Sequence, residues 1–133
     1  MESLAITTTS EVSLERVKWL LCAAFEGGSN YWYHDLHVSR MPDGKRRGDF
    51  EHWHLEVPFL QGGELGFKDK EDPYEEAVEE GLYRLDRHKI MRGLEVMANK
   101  YPKDWQDFID ENYDAWTGDT FLQCCVFGVA LYG

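Results

Sequence analysis

Apolar residues recur three and four apart from Leu14 onward. Val17, Leu20, Leu21, Ala24 and Phe25 complete one face of a helix, and Ser13 stands where an N-cap is needed. That helix is expected to run to about Glu26, with Gly27 as the residue past its end that can take positive φ. Trp19 falls off the stripe, where it either broadens the buried face or meets a second subunit. Ser29 to Val38 reads as extended, with Tyr31, Tyr33 and Asp35 on one side and Trp32, His34, Leu36 and Val38 on the other. After the turn and basic loop of Met41 to Gly48, the stretch Phe50 to Leu60 alternates most cleanly. It predicts the best strand: Trp53, Leu55, Val57 and Phe59 share one face, and Phe50, His52, His54 and Glu56 the other. Pro58 puts that strand at an edge or near its end. Gln61-Gly62-Gly63 is turn chemistry, returning into a strand over Glu64 to Phe67.

Further on, Asp72-Pro73 opens a short acidic helix that ends near Gly81, and Leu82 to Leu85 can form a strand. Asp86 caps a helix whose stripe is Ile90, Met91, Leu94, Met97 and Ala98. Tyr101-Pro102 breaks it. A helix from Asp104 to about Asn112 carries Trp105, Phe108 and Ile109. Thr117-Gly118-Asp119 starts the last helix, Gly128 stops it, and the apolar tail Val129 to Tyr132 is expected to be buried or paired. The pattern gives an α+β fold: a small antiparallel sheet packed by an N-terminal helix and two to three C-terminal helices. Residues 12–133 form a single domain after a disordered tail over residues 1–11.

Composition narrows the class. A chain of 133 residues can bury one core without disulfides or metals. Cys22, Cys124 and Cys125 are odd in number, and two are adjacent, so buried thiols are expected rather than a disulfide framework or a zinc site. No apolar run reaches about 20 residues and no basic-then-apolar segment opens the chain, so the expectation is a cytoplasmic protein without a membrane partner. Net charge is −11, from 25 acids against 14 bases, which argues against binding duplex nucleic acid over a broad face. The acids cluster from Glu64 to Glu80. The bases form two islands, Arg40 with Lys45 to Arg47, and Arg84 to Arg92.

Candidate chemistry is sparse. Arg87, Lys89 and Arg92 lie in the first turns of their helix, where cations oppose its dipole; they suit an anion or pairing with Glu75 to Glu80. The consecutive rings Tyr31, Trp32 and Tyr33 cannot all face one core, and with Trp53 they could stack a base or sugar. Asn30 or His34 could read a ring edge. His34, His37, His52 and His54 with Glu56 could hold a metal, but a polar sheet face accounts for them more simply. No nucleophile motif, phosphate loop or dinucleotide fingerprint is present, so catalysis is the minority reading and no cofactor is expected.

Both ends of the chain resemble a known family. Phe25-Glu26-Gly27-Gly28-Ser29-Asn30-Tyr31-Trp32-Tyr33 near the start, with Met97-Ala98-Asn99-Lys100-Tyr101-Pro102 and Thr117 to Gly128 near the end, is similar to a family of small accessory proteins encoded by tailed bacteriophages. The likeness covers roughly half the chain, and the middle is outside it. The family commonly has Glu where this chain has Val129. It brings no settled activity and no catalytic residues. It implies an infected bacterial host and a counter-defence role. On that footing the leading expectation is a homo-oligomeric sponge that sequesters a small nucleotide-derived immune signal through Asn30, Tyr31, Trp32, Tyr33, His34, Trp53, His54, Arg87, Lys89 and Arg92. The alternative is an acidic DNA mimic that blocks a host defence protein's nucleic-acid-binding surface. The third is a metal-dependent hydrolase.

Overall fold

The computed structural model describes residues 2–6, 9–70 and 82–133. The elements run α1 (Leu14–Ala23), β1 (Tyr33–Arg40), α2 (Trp53–Glu56), β2 (Glu64–Asp69), β3 (Leu82–Leu85), α3 (Arg87–Lys100), α4 (Pro102–Ile109) and α5 (Ala115–Phe127). Antiparallel pairing in the order β1-β2-β3 makes a three-stranded sheet, so the α+β expectation holds. The acidic helix read from Asp72 to Gly81 lies outside the described residues.

Ser13 caps α1 by accepting from the Arg16 N–H at 3.2 Å. The helix does not stop at Gly27. It widens into a π-turn over Ala24–Gly28, and Gly27 is not among the positive-φ glycines. Asp86 caps α3 through the Lys89 N–H. Asp114, rather than Thr117, caps α5, bonding the Trp116 and Thr117 amides. Gly128 ends α5 at φ 75°.

The stretch Phe50 to Leu60 is not a strand. It folds as α2 followed by a 3-10 turn over Val57–Phe59. Pro58 offers no ladder donor, and Val57, Pro58 and Phe59 are all buried in succession, which a strand with alternating faces cannot do. The Glu56 carboxylate catches the His52 N–H at 2.8 Å and winds the turn. The true partner of β2 is β1, with Tyr33 opposite Asp69 and Arg40 opposite Glu64. Register shifts between His34 and His37 and between Val38 and Arg40 break the simple alternation of β1, and Asp35 sits at φ 57°.

Leu65 and Phe67 on β2 and Leu85 on β3 are buried toward the helices. Phe25, Trp32 and Tyr33 each meet the Phe67 ring edge-on, with centroids about 6 Å apart. The last helix, α5, runs through the middle of the core; Phe121, Leu122, Cys124 and Cys125 on it are fully buried. Arg16 ties α1 to α4 by donating to the carbonyls of Phe108 and Ile109 at 2.6 and 2.8 Å, where the helix leaves acceptors unsatisfied. Among the described residues no helix is long and apolar enough to cross a membrane.

Candidate functional site

The aromatic run and the last helix meet at one buried carboxylate. Asp119 is 3% exposed. It accepts from the Ser29 hydroxyl at 2.8 Å, the Tyr31 hydroxyl at 2.7 Å, the Trp32 indole N–H at 2.7 Å and the Gln123 amide at 3.0 Å. Four donors satisfy a charge that burial would otherwise penalise heavily. Gln123 extends the network, accepting the Tyr132 N–H and donating to the Tyr132 carbonyl, while the Tyr132 hydroxyl donates to buried Asp69 at 2.7 Å. Of the apolar tail, Tyr132 and the Ala130 amide are thus paired, while the Val129 and Leu131 side chains stay exposed. Burial, then the adjacent Asp119 carboxylate, pushes the Tyr31 phenol well above its ordinary value.

Two glycines permit this approach. A Cβ on Gly28 would fall 1.9 Å from the Ala115 carbonyl oxygen, and one on Gly118 would fall 2.7 Å from the Ala24 nitrogen. The segments Phe25 to Tyr33 and Thr117 to Gly128 are therefore two halves of one packing and hydrogen-bonding unit.

That assignment redistributes the candidate ligand residues. Trp32 has no exposure, so its ring cannot stack a ligand. The Tyr33 hydroxyl donates to the Phe25 carbonyl. Tyr31 keeps 41% exposure, with its hydroxyl committed to Asp119. Asn30 is exposed, and its carbonyl receives Lys70. His34 lies half-buried on β1, 3.6 Å from the Asp35 carboxylate. Trp53 is covered by the Arg47 guanidinium at 5.2 Å. His54 reaches Glu26 at 3.5 Å. Arg87, Lys89 and Arg92 donate to the carbonyls of Phe59, Arg84 and Cys125. The structure gathers Tyr31, Trp32 and Tyr33 around the core and does not bring Arg87, Lys89 or Arg92 to them.

The chain matches no protein-family model, no curated protein and no solved structure.

Two further clusters border α1. Cys22, Glu26 and His54 converge on one oxygen of Glu26, the thiol donating to it and the His54 Nε2 lying 3.5 Å away. The carboxylate stands between thiol and imidazole, the wrong order for a nucleophile and its base. Burial first, then the Glu26 hydrogen bond and charge, pushes the Cys22 thiol up to about 11, so it stays protonated and unreactive. Among the described residues no group of three His, Cys, Asp or Glu side chains could hold a metal ion, which gives the hydrolase reading no support.

The second is an open cleft of about 470 Å3 between α1 and α2, lined by Glu15, Lys18, Trp19, Glu51, His52 and Glu56. Trp19 is 56% exposed there. The sequence carried a trace of this site, since Trp19 lies off the helical stripe. Its companions are not legible in the sequence, because the alternation over Phe50 to Leu60 predicts a strand that does not form.

Proposed function

We propose that the protein is a non-catalytic binding protein that uses an acidic outer surface to cover a basic surface on a partner protein, in the counter-defence setting its phage-like segments imply. One observation carries this reading. Arg16, Arg40, Lys70, Arg87, Lys89, Arg92 and Lys100, seven of the chain's 14 lysines and arginines, donate to the protein's own backbone carbonyls. Each such bond spends a donor on the protein's own backbone, while the chain keeps a net charge of −11. Such a surface steers toward a positively charged partner and falls silent as salt rises. Nucleic-acid-binding proteins are the natural basic class.

The test is capture of bacterial lysate proteins on the immobilised chain, with elution by sodium chloride or by duplex DNA. Support requires bound nucleic-acid-binding proteins that both eluents release. Captured proteins that neither eluent displaces contradict the reading.

A second reading has one observation in its favour. Arg40, Arg87 and His88 line a cleft of about 340 Å3 beside the Gly62-Gly63 turn, a size that suits a small phosphorylated ligand. Asp86 shares the wall and opposes an anion there. A nucleotide held at that cleft returns intact after heat denaturation, and Arg87→Ala weakens its capture; a cleaved nucleotide overturns the sponge.

A further inference from the structure

The five tryptophans divide by what occupies their faces. Trp32 is enclosed in the core, Trp53 lies under Arg47, and Trp105 packs against Phe108. Trp116, at 67% exposure, stands at the start of α5. Trp105 also borders a cleft but is half-buried, whereas Trp19, at 56% exposure, lines a cleft with carboxylates on both walls. Glu15 comes from the same helix, one turn before it; Glu51 and Glu56 come from the opposite wall. One Glu56 oxygen is held by the His52 N–H at 2.8 Å, which fixes the side chain at the wall. The sole ammonium in the lining, that of Lys18, is held over the Phe59 ring at 5.7 Å. The cleft thus combines an uncovered aromatic face with excess negative charge, the surroundings that attract a cation.

We infer that the Trp19 cleft is the anchor of the partner interface and receives an arginine side chain of that partner. The inference rests on the acidic-surface reading above and adds the residue class recognised. Arginine fits better than lysine. Its flat guanidinium stacks on an indole and can take a carboxylate side-on, whereas an ammonium does neither. The molecule already contains this pairing in Arg47 over Trp53. Tryptophan and arginine are also among the residues enriched at interface hot spots.

The experiment titrates the isotope-labelled full chain with an octa-arginine peptide and, separately, an octa-lysine peptide at low salt, following the backbone and indole N–H resonances. Expected are saturable shifts centred on the Trp19 indole and on Glu15, Glu51 and Glu56, tighter for octa-arginine. Trp19→Ala lowers the affinity about two- to fivefold, the worth of a cation–aromatic contact at an exposed site. Lys18→Gln raises it. Trp19 is exposed and Lys18 is half-buried at the cleft wall, so either variant is expected to fold, and unshifted core resonances verify it. Salt-sensitive binding of octa-arginine that Trp19→Ala leaves unchanged overturns the inference and spares the acidic-surface reading. Absence of any salt-sensitive binding overturns both.

Discussion

The indole of Trp32 donates to the carboxylate of Asp119 at 2.7 Å, across 87 residues of chain. Both groups are buried. This bond joins the most conspicuous aromatic segment of the sequence to the helix at the centre of the core, and it turns an apparent ligand platform into a structural joint. Removing the carboxylate should therefore act on stability. Asp119→Ala leaves the donors of Ser29, Tyr31, Trp32 and Gln123 without their common acceptor, a loss of roughly 3 kcal/mol or more. Urea unfolding monitored by tryptophan fluorescence measures it. A loss below about 0.5 kcal/mol, the level of an ordinary surface change, means the network is not holding the fold.

The glycines of the two segments make a separate prediction. In Gly118→Ala the added methyl meets the backbone of α1 at Ala23 and Ala24, not a side chain that can swing away. The helix pair must separate, and the expected cost is about 1–3 kcal/mol in spite of alanine's better helix propensity. Gly128→Ala, with open space around its Cβ but φ at 75°, costs less, about 1 kcal/mol. Melting temperatures of the two variants, measured side by side, check the order; a stabilised Gly118→Ala protein contradicts the close approach.

Most of the helical skeleton was legible. Ser13 and Asp86 cap the helices expected of them, Pro102 breaks α3 from α4, and Gly128 stops α5, because each signal acts within one turn of chain. The failures were non-local. Trp53, Leu55, Val57 and Phe59 alternate like a strand, but four positions also fit two tight helical turns. What decided between them was the burial of Val57 to Phe59 and the capture of the His52 amide by Glu56. Asp119 read as a helix-starting residue because nothing in its neighbourhood announces donors that arrive from the other end of the chain. The expected ligand residues part company for the same reason: Trp32 and the Arg87 to Arg92 group look compatible in composition, but Trp32 is enclosed in the core and Arg87, Lys89 and Arg92 donate to internal carbonyls.

Alkaline pH should weaken the fold. Burial raises the phenols of Tyr31, Tyr33 and Tyr113 above their ordinary value of 10.0, and the thiols of Cys22 and Cys124 to about 11 and 12 from 9.0. An acid that holds its proton more tightly when folded contributes in full below its unfolded pKa, and the contribution is lost as pH rises through the folded value. Stability is thus expected to be level from about pH 7 to 8.5 and to fall from about pH 9 upward, given the ordinary thiol and phenol ranges. Urea midpoints across that range test it, and a midpoint that rises above pH 9 contradicts it.

Cys22 provides a local probe of the same chemistry. With a pKa of about 11 it is roughly one part in a thousand thiolate at pH 8, so alkylation by a maleimide should be slow. Glu26→Gln removes the charge that repels the thiolate and speeds the reaction severalfold, while Cys124 and Cys125 stay protected by burial. An alkylation rate that Glu26→Gln leaves unchanged contradicts the Cys22–Glu26 contact.

The central claim is that the aromatic segment serves the fold and the acidic exterior serves binding. The measurement that tests it most directly is the affinity of Trp32→Phe for the octa-arginine peptide at low salt, taken well below the variant's melting temperature. The expected result is a protein less stable than the parent that binds the peptide with the parent's affinity. A folded Trp32→Phe protein that has lost the peptide would place Trp32 in the ligand site and contradict the account.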